Sequence, residues 1–154
     1  AEGAEDEIRK LRGEGSEYSV SEGGYPEGDA DLEGVTIETL FPGDGENFPQ
    51  PGQIVRMHYK AFVKGSHNSF EDSRLRGRVF EFKVDAAQVV PGLDEAVRTL
   101  SFGTKAKITL ESSVAYGDKG HPPVIPPSSD LIFEVQLIKS YYAERSIDEM
   151  KTET

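Results

Sequence analysis

The sequence predicts an α+β domain, a mainly antiparallel sheet packed on one short helix. Three observations carry that reading. At least five short segments between residues 35 and 138 alternate apolar and polar side chains. One segment alone has helical spacing. Strands and helices do not alternate along the chain, which argues against a parallel strand–helix–strand architecture.

The elements follow in order. Val35-Thr-Ile-Glu-Thr-Leu-Phe41 alternates, and Pro42-Gly-Asp-Gly45 supplies the turn that ends it. Pro49 and Pro51-Gly52 punctuate the chain before a long strand over residues 53–63. There Val55, Met57, Tyr59, Ala61 and Val63 share one face, and Arg56, His58 and Lys60 the other. Residues 64–68 read as a hairpin loop, and 79–84 as a short strand with Phe80 and Phe82 on one side. Leu93, Ala96, Val97 and Leu100 recur at helical spacing directly after Pro91-Gly92, and Gly103 stops the helix. Lys105–Leu110 turns Ala106, Ile108 and Leu110 inward, while 131–138 places Leu131, Phe133, Val135 and Leu137 on one face. Residues 35–139, about 105 in number, suffice for one such core.

Charge divides the chain at the same boundary. The 154 residues carry 17 basic and 28 acidic side chains, a net charge of −11. Residues 1–34 alone hold eleven acids and three bases, leaving residues 35–154 close to balance. Ile8, Leu11, Val20 and Leu32 are the only aliphatics larger than Ala in that first segment. It cannot bury enough apolar surface to offset its ordering entropy, so 1–34 reads as an acidic disordered segment. A marginal helix over 6–12 is conceivable. The segment either keeps the protein soluble or attracts a basic protein partner. Residues 140–154, with Tyr141, Tyr142, Ile147 and Met150, read as a tail or a short helix. The chain begins at Ala1 without a charged-then-apolar leader, as a processed or excised piece would.

Several function classes drop out. Net acidity argues against nucleic acid and against anionic membrane surfaces. No apolar run approaches the about 20 residues that span a bilayer. With no cysteine there is no disulfide, thiolate zinc site or cysteine nucleophile. This composition suits a cytoplasmic protein, with the nucleus as the other compatible compartment. His58, His67 and His121 are far apart and lack metal-ligand spacing, and no phosphate loop or nucleophile elbow occurs. Asp72 and Asp94-Glu95 could be acid/base carboxylates, but charges at strand and helix ends are usually surface decoration. No metal or cofactor is expected. What stands out is aromatic: Tyr59, Phe62, Phe70, Phe80, Phe82, Tyr116 and Phe133. Phe62 reads as core. The others form either an ordinary aromatic core or an apolar cleft holding a few polar groups, the usual anatomy of a small-ligand site.

Ordered motifs then become specific. They are Ala115-Tyr-Gly117, Gly120-His-Pro-Pro-Val-Ile-Pro-Pro127 and Leu131-Ile-Phe-Glu-Val-Gln-Leu137. Upstream stand Pro42-Gly-Asp-Gly45, His58-Tyr59, Phe70-Glu-Asp-Ser-Arg74, Phe80-Glu-Phe82 and Val89-Val-Pro-Gly-Leu-Asp-Glu-Ala96. Together they resemble the FKBP-type peptidyl-prolyl cis/trans isomerases over residues 35–139, tails excluded. The resemblance implies a twisted antiparallel sheet of five to six strands wrapped around one short helix. It implies isomerisation of Xaa–Pro bonds in peptides or proteins, assistance to folding, and binding of the macrolides FK506 and rapamycin. The residues it assigns to catalysis are Tyr59, Phe70, Glu71, Phe80, Tyr116 and Phe133. Those it assigns to substrate and drug binding are Arg76, Phe82, Gln88, Val89, Val90, Leu93, His121, Val124 and Ile125.

Two positions depart from the family pattern. Glu71 stands where an aspartate is common, with Asp72 next to it, so either carboxylate could take the role. Leu93 stands where the most active members carry tryptophan, which implies lowered isomerase activity and weaker macrolide binding. The alternative function is a weakly active or inactive binding module of co-chaperone type.

Overall fold

The computed structural model describes residues 32–143. Among the described residues six antiparallel strands form one sheet: β1 (Val35–Phe41), β2 (Ile54–Val63), β3 (Glu71–Asp72), β4 (Phe80–Lys83), β5 (Lys105–Leu110) and β6 (Leu131–Tyr141). Their order is β1-β5-β6-β2-β3, and β4 also pairs with β2. This is the α+β architecture the alternation predicts.

Register follows burial. Met57 faces Leu137, Tyr59 faces Val135 and Ala61 faces Phe133, while Ala106 and Ile108 pair with Val135 and Phe133 from the other side. All point to the one face that buries apolar surface, and a one-residue slip would expose every one of them. Against this face lies α1 (Pro91–Val97), which buries Gly92, Leu93, Ala96 and Val97. Seven residues make a helix that is marginal in isolation. Pro91 pre-sets the first turn, and contact with the sheet supplies the rest. A Cβ on Gly92 would lie 2.8 Å from both Leu110 Cδ2 and Val114 Cγ2, so glycine permits this close approach.

Four sequence expectations change. The periodicity extends the helix through Leu100, yet α1 ends at Val97. Thr99 and Leu100 donate to Ala96 and Val97, tightening the last turn to i+3 bonds while Leu100 stays fully buried. Phe62 is not core. It is half-buried on the opposite face of β2, opposite Ile132, because period-2 alternation with Ala61 inward sends it outward. The last strand outruns residue 139, since Ser140 and Tyr141 pair with Val55 and Ile54. A bulge between Arg56 and Met57 skips Ile138, which shifts Lys139 outward and brings Ser140 inside to donate to Gln53 Oε1 at 2.6 Å. Simple alternation would have buried the lysine; the bulge avoids that. Finally, Asp94 is not mere surface charge, as described below.

The acidic segment through residue 31, including the helix conceived for 6–12, lies outside the described residues, as do Ile147 and Met150. Among the described residues no helix is long and apolar enough to cross a membrane. No group of three or more His, Asp or Glu among them is placed to hold a metal ion.

Candidate active site

Between α1 and the buried sheet face opens a cavity of about 220 Å³. Tyr59 reaches it from β2 and Phe133 from β6. Phe70 and Glu71 come from the start of β3 and Phe80 from β4. Gln88, Val89 and Val90 belong to the loop before α1, Leu93 to the first turn of α1, and Tyr116 to the long connection before β6. Seven parts of the fold thus converge, from six separate stretches of the chain. The sheet and helix supply a rigid floor, and loops supply the rim.

The floor is aromatic. Tyr59 meets Phe80 edge-on at 5.0 Å between ring centroids and Phe133 at 6.0 Å. Tyr59 and Phe133 are each only 6 % exposed and Leu93 is 2 % exposed, so the walls are set by core packing. Phe70 is held by its backbone, whose N–H donates to Ala61 C=O at 2.8 Å.

Polar groups are few and fixed. Tyr59 Oη donates to Glu71 Oε1 at 2.7 Å, and Arg76 Nη1 approaches Glu71 Oε2 at 3.5 Å. Burial first, and then the Glu71 carboxylate, push the Tyr59 hydroxyl up to about 12. Behind Tyr59, the fully buried Ser73 accepts the Tyr59 N–H at 2.9 Å through its Oγ, which also lies 2.8 Å from His58 Nδ1. Asp72 turns away and caps the following turn, accepting from the Arg74 N–H at 3.0 Å. Of the two adjacent carboxylates, Glu71 alone lines the cavity.

The loop over residues 85–90 is pinned at both ends. Gln88 Oε1 accepts the Lys83 N–H at 2.8 Å, and the Asp94 carboxylate accepts the Asp85 N–H at 3.0 and 3.1 Å. Burial is the largest influence on Asp94 and raises its pKa. Asp85 and Ala87 adopt positive φ, a strained choice for residues with side chains. Such a loop stays in place because these contacts over-determine it.

All ten lining residues belong to the fifteen singled out from the sequence; the other five sit around them. Phe82 is core, stacked behind Phe80 at 5.8 Å. Arg76 does not line the cavity; it pairs with Glu71 and acts on the Tyr59 hydroxyl beside it. The His121 ring lies 5.3 Å from the Tyr116 ring, and its backbone exchanges hydrogen bonds with Ile125 at 2.8 and 3.0 Å. Ile125 is buried beneath that turn, whereas Val124 is half exposed. These residues shape the rim rather than line the cavity. Ser73 and Asp94 are the supporting residues that sequence reasoning missed. Each acts on a backbone N–H fourteen or nine residues away, and no motif signals that.

An aromatic cavity with one tethered carboxylate has the shape and chemistry to receive a small, mainly apolar group. Residues 45–138 match the family model of the FKBP-type peptidyl-prolyl cis-trans isomerases. The chain belongs to that family and is an isomerase of Xaa–Pro peptide bonds. Over 106 residues it is 44% identical to FK506-binding protein 1 of Rhizopus delemar, a span covering 69% of this chain and 97% of that protein. It is 43% identical over 106 residues to FK506-binding protein 1A of Emericella nidulans, with the same coverage.

Proposed function

We propose that the cavity is where the prolyl bond is turned, and that it also binds FK506 and rapamycin with reduced affinity. The observation that carries this reading is the cavity lining itself: aromatic and aliphatic walls, one tethered carboxylate and the Tyr116 hydroxyl. Amide resonance imposes a barrier of ~18–20 kcal/mol, and rotation needs no nucleophile, metal or proton transfer. The twisted amide is less dipolar than the planar one, so a dry apolar wall favours it over the ground state.

Phe80, Val89, Val90, Leu93 and Phe133 would grip the proline ring, and Phe70 would press on it from the side. Tyr116 would donate a hydrogen bond to a substrate carbonyl. The Val90 N–H, at the residue that leads into α1, would donate a second. Glu71, oriented by Tyr59 and Arg76, would stand near the twisting carbonyl carbon. Leu93 keeps the floor apolar but offers less flat surface than an indole and no N–H donor, hence the lowered activity and drug affinity.

The test is NMR exchange between cis and trans forms of a free prolyl peptide, with and without FK506. Catalysed exchange that the drug blocks supports the proposal. Peptide or drug capture without exchange would overturn it in favour of a binding module.

A further inference from the structure

The chain carries an Xaa–Pro bond of its own in the segment that precedes β1. Of nine prolines, Pro26 is the one ahead of β1; it follows Tyr25 and is flanked by Glu22, Glu27, Asp29 and Asp31.

The place where β1 begins decides the reach. Leu32 C=O accepts the Val35 N–H at 3.2 Å, and Gly34 C=O accepts the Glu111 N–H at 2.8 Å. A Cβ on Gly34 would lie 3.2 Å from Val114 Cγ2. Val114 closes a 3-10 turn (Ser112–Val114), and two residues on is Tyr116, which lines the cavity. The chain therefore enters the domain beside the cavity rim. Pro26 lies six Cα steps before Leu32, and six extended residues span about 20 Å. The distance is within reach.

Charge favours the same placement. Arg74, Arg76 and Arg78 are all exposed on the loop that joins Glu71 to Phe80, two residues of the cavity wall. Arg76 is matched by Glu71, and Arg74 bonds to the neutral Gln136. Arg78 has no carboxylate partner among the described residues. Acids on both sides of Pro26 complement this rim, and an aromatic residue before the proline suits walls made of Tyr59, Phe70, Phe80, Tyr116 and Phe133.

We propose that Tyr25–Pro26 docks in the cavity of its own chain, held by its acidic neighbours against Arg74 and Arg78, and so acts as a tethered competitor of outside substrates. This rests on the cavity being the prolyl site. Tethering through a short segment gives an effective concentration in the millimolar range. If the segment's own dissociation constant is of that order, it fills about half the cavities and lowers outside turnover about twofold. Screening at 1 M salt, where the Debye length is about 3 Å, weakens the docking.

The experiment uses the full chain, labelled for NMR. Exchange at Tyr25–Pro26 is measured at two protein concentrations tenfold apart, alongside turnover of an uncharged reporter peptide. The inference expects Tyr25–Pro26 exchange far faster than the tens to hundreds of seconds of the uncatalysed bond, at a rate unchanged on dilution. It expects Pro26→Ala to raise reporter turnover about twofold at low salt and not at 1 M. It also expects Arg78→Glu to slow Tyr25–Pro26 exchange without lowering reporter turnover. Uncatalysed exchange at Tyr25–Pro26 beside normal reporter turnover overturns the inference and leaves the cavity reading intact. A rate proportional to concentration overturns docking within one chain. Absent reporter turnover overturns the cavity reading and this inference together.

Discussion

Replacing Tyr59 by Phe tests the hydrogen bond that orients Glu71, through a stability difference that should change with pH. The hydroxyl donates to Glu71 Oε1 at 2.7 Å from a ring that is 6 % exposed. Hydrogen bonds to charged groups contribute ~1.5–3 kcal/mol. Here the carboxylate left behind keeps Arg76 and some water, since its side chain is 39% exposed, so the lower end applies. Tyr59→Phe should therefore cost about 1.5 kcal/mol at pH 8. The pH dependence follows from the hydroxyl, which rises from 10.0 to about 12 on folding. A group raised on folding contributes stability that is complete below its unfolded value and lost as pH climbs to its folded value. The window is pH 10 to 12. The wild type should lose roughly 2–3 kcal/mol across it from this group, with about 1.3 kcal/mol gone between pH 9 and 11. Phe cannot ionise, so the two stabilities should converge near about pH 11. Urea unfolding of both proteins by circular dichroism at pH 8, 9, 10 and 11 measures this, and other titrating groups cancel in the difference. A difference that stays constant from pH 9 to pH 11 would refute the reasoning. Prolyl turnover at pH 7.5 should also fall several-fold, because an untethered carboxylate samples other rotamers.

Three further perturbations are worth making. Leu93→Trp should tighten FK506 binding and raise turnover, by about 2- to 10-fold if a ring contact adds ~0.5–1.5 kcal/mol; calorimetry giving unchanged affinity in a folded variant would remove Leu93 as the explanation. Tyr116→Phe removes only a hydroxyl from a partly exposed ring, so turnover should drop several-fold at an unchanged unfolding midpoint; wild-type kcat/KM would release Tyr116 from its proposed role. Gly92→Ala drives a methyl to within 2.8 Å of Leu110 and Val114. Overpacking costs ~1–3 kcal/mol and helix preference returns about 1, so a urea midpoint at or above wild type would show that α1 can retreat.

The sheet could be read from the sequence because alternation is a local property. Met57, Tyr59, Ala61, Phe133 and Val135 announce their shared face wherever the strands end up in space. Where local alternation and burial disagree, sequence alone fails. Lys139 continues the odd-numbered pattern, and only the strand partner shows that a bulge turns it to water. Phe62 is apolar enough for a core, yet its neighbours Ala61 and Val63 had already claimed the inward side. The helix end at Val97 is decided by i+3 bonds that spacing cannot distinguish from another helical turn.

By itself, then, the sequence determined the strand faces, the helix that follows Pro91-Gly92, the family motifs and the step in charge between residues 1–34 and the rest of the chain. All of these depend on residue type and near-neighbour spacing. Tertiary structure decided which of Glu71 and Asp72 faces the cavity, because both carboxylates are chemically able and only the pairing of β3 with Lys60 and Ala61 orients them. It decided that Ser73 and Asp94 hold Tyr59 and the loop over residues 85–90 in place, since each acts on a backbone N–H brought near by the fold. It also decided that the acidic segment enters beside Tyr116. A hydrogen bond between Gly34 and Glu111 sets that position, and two residues 77 apart in the chain become neighbours only when the strands pair.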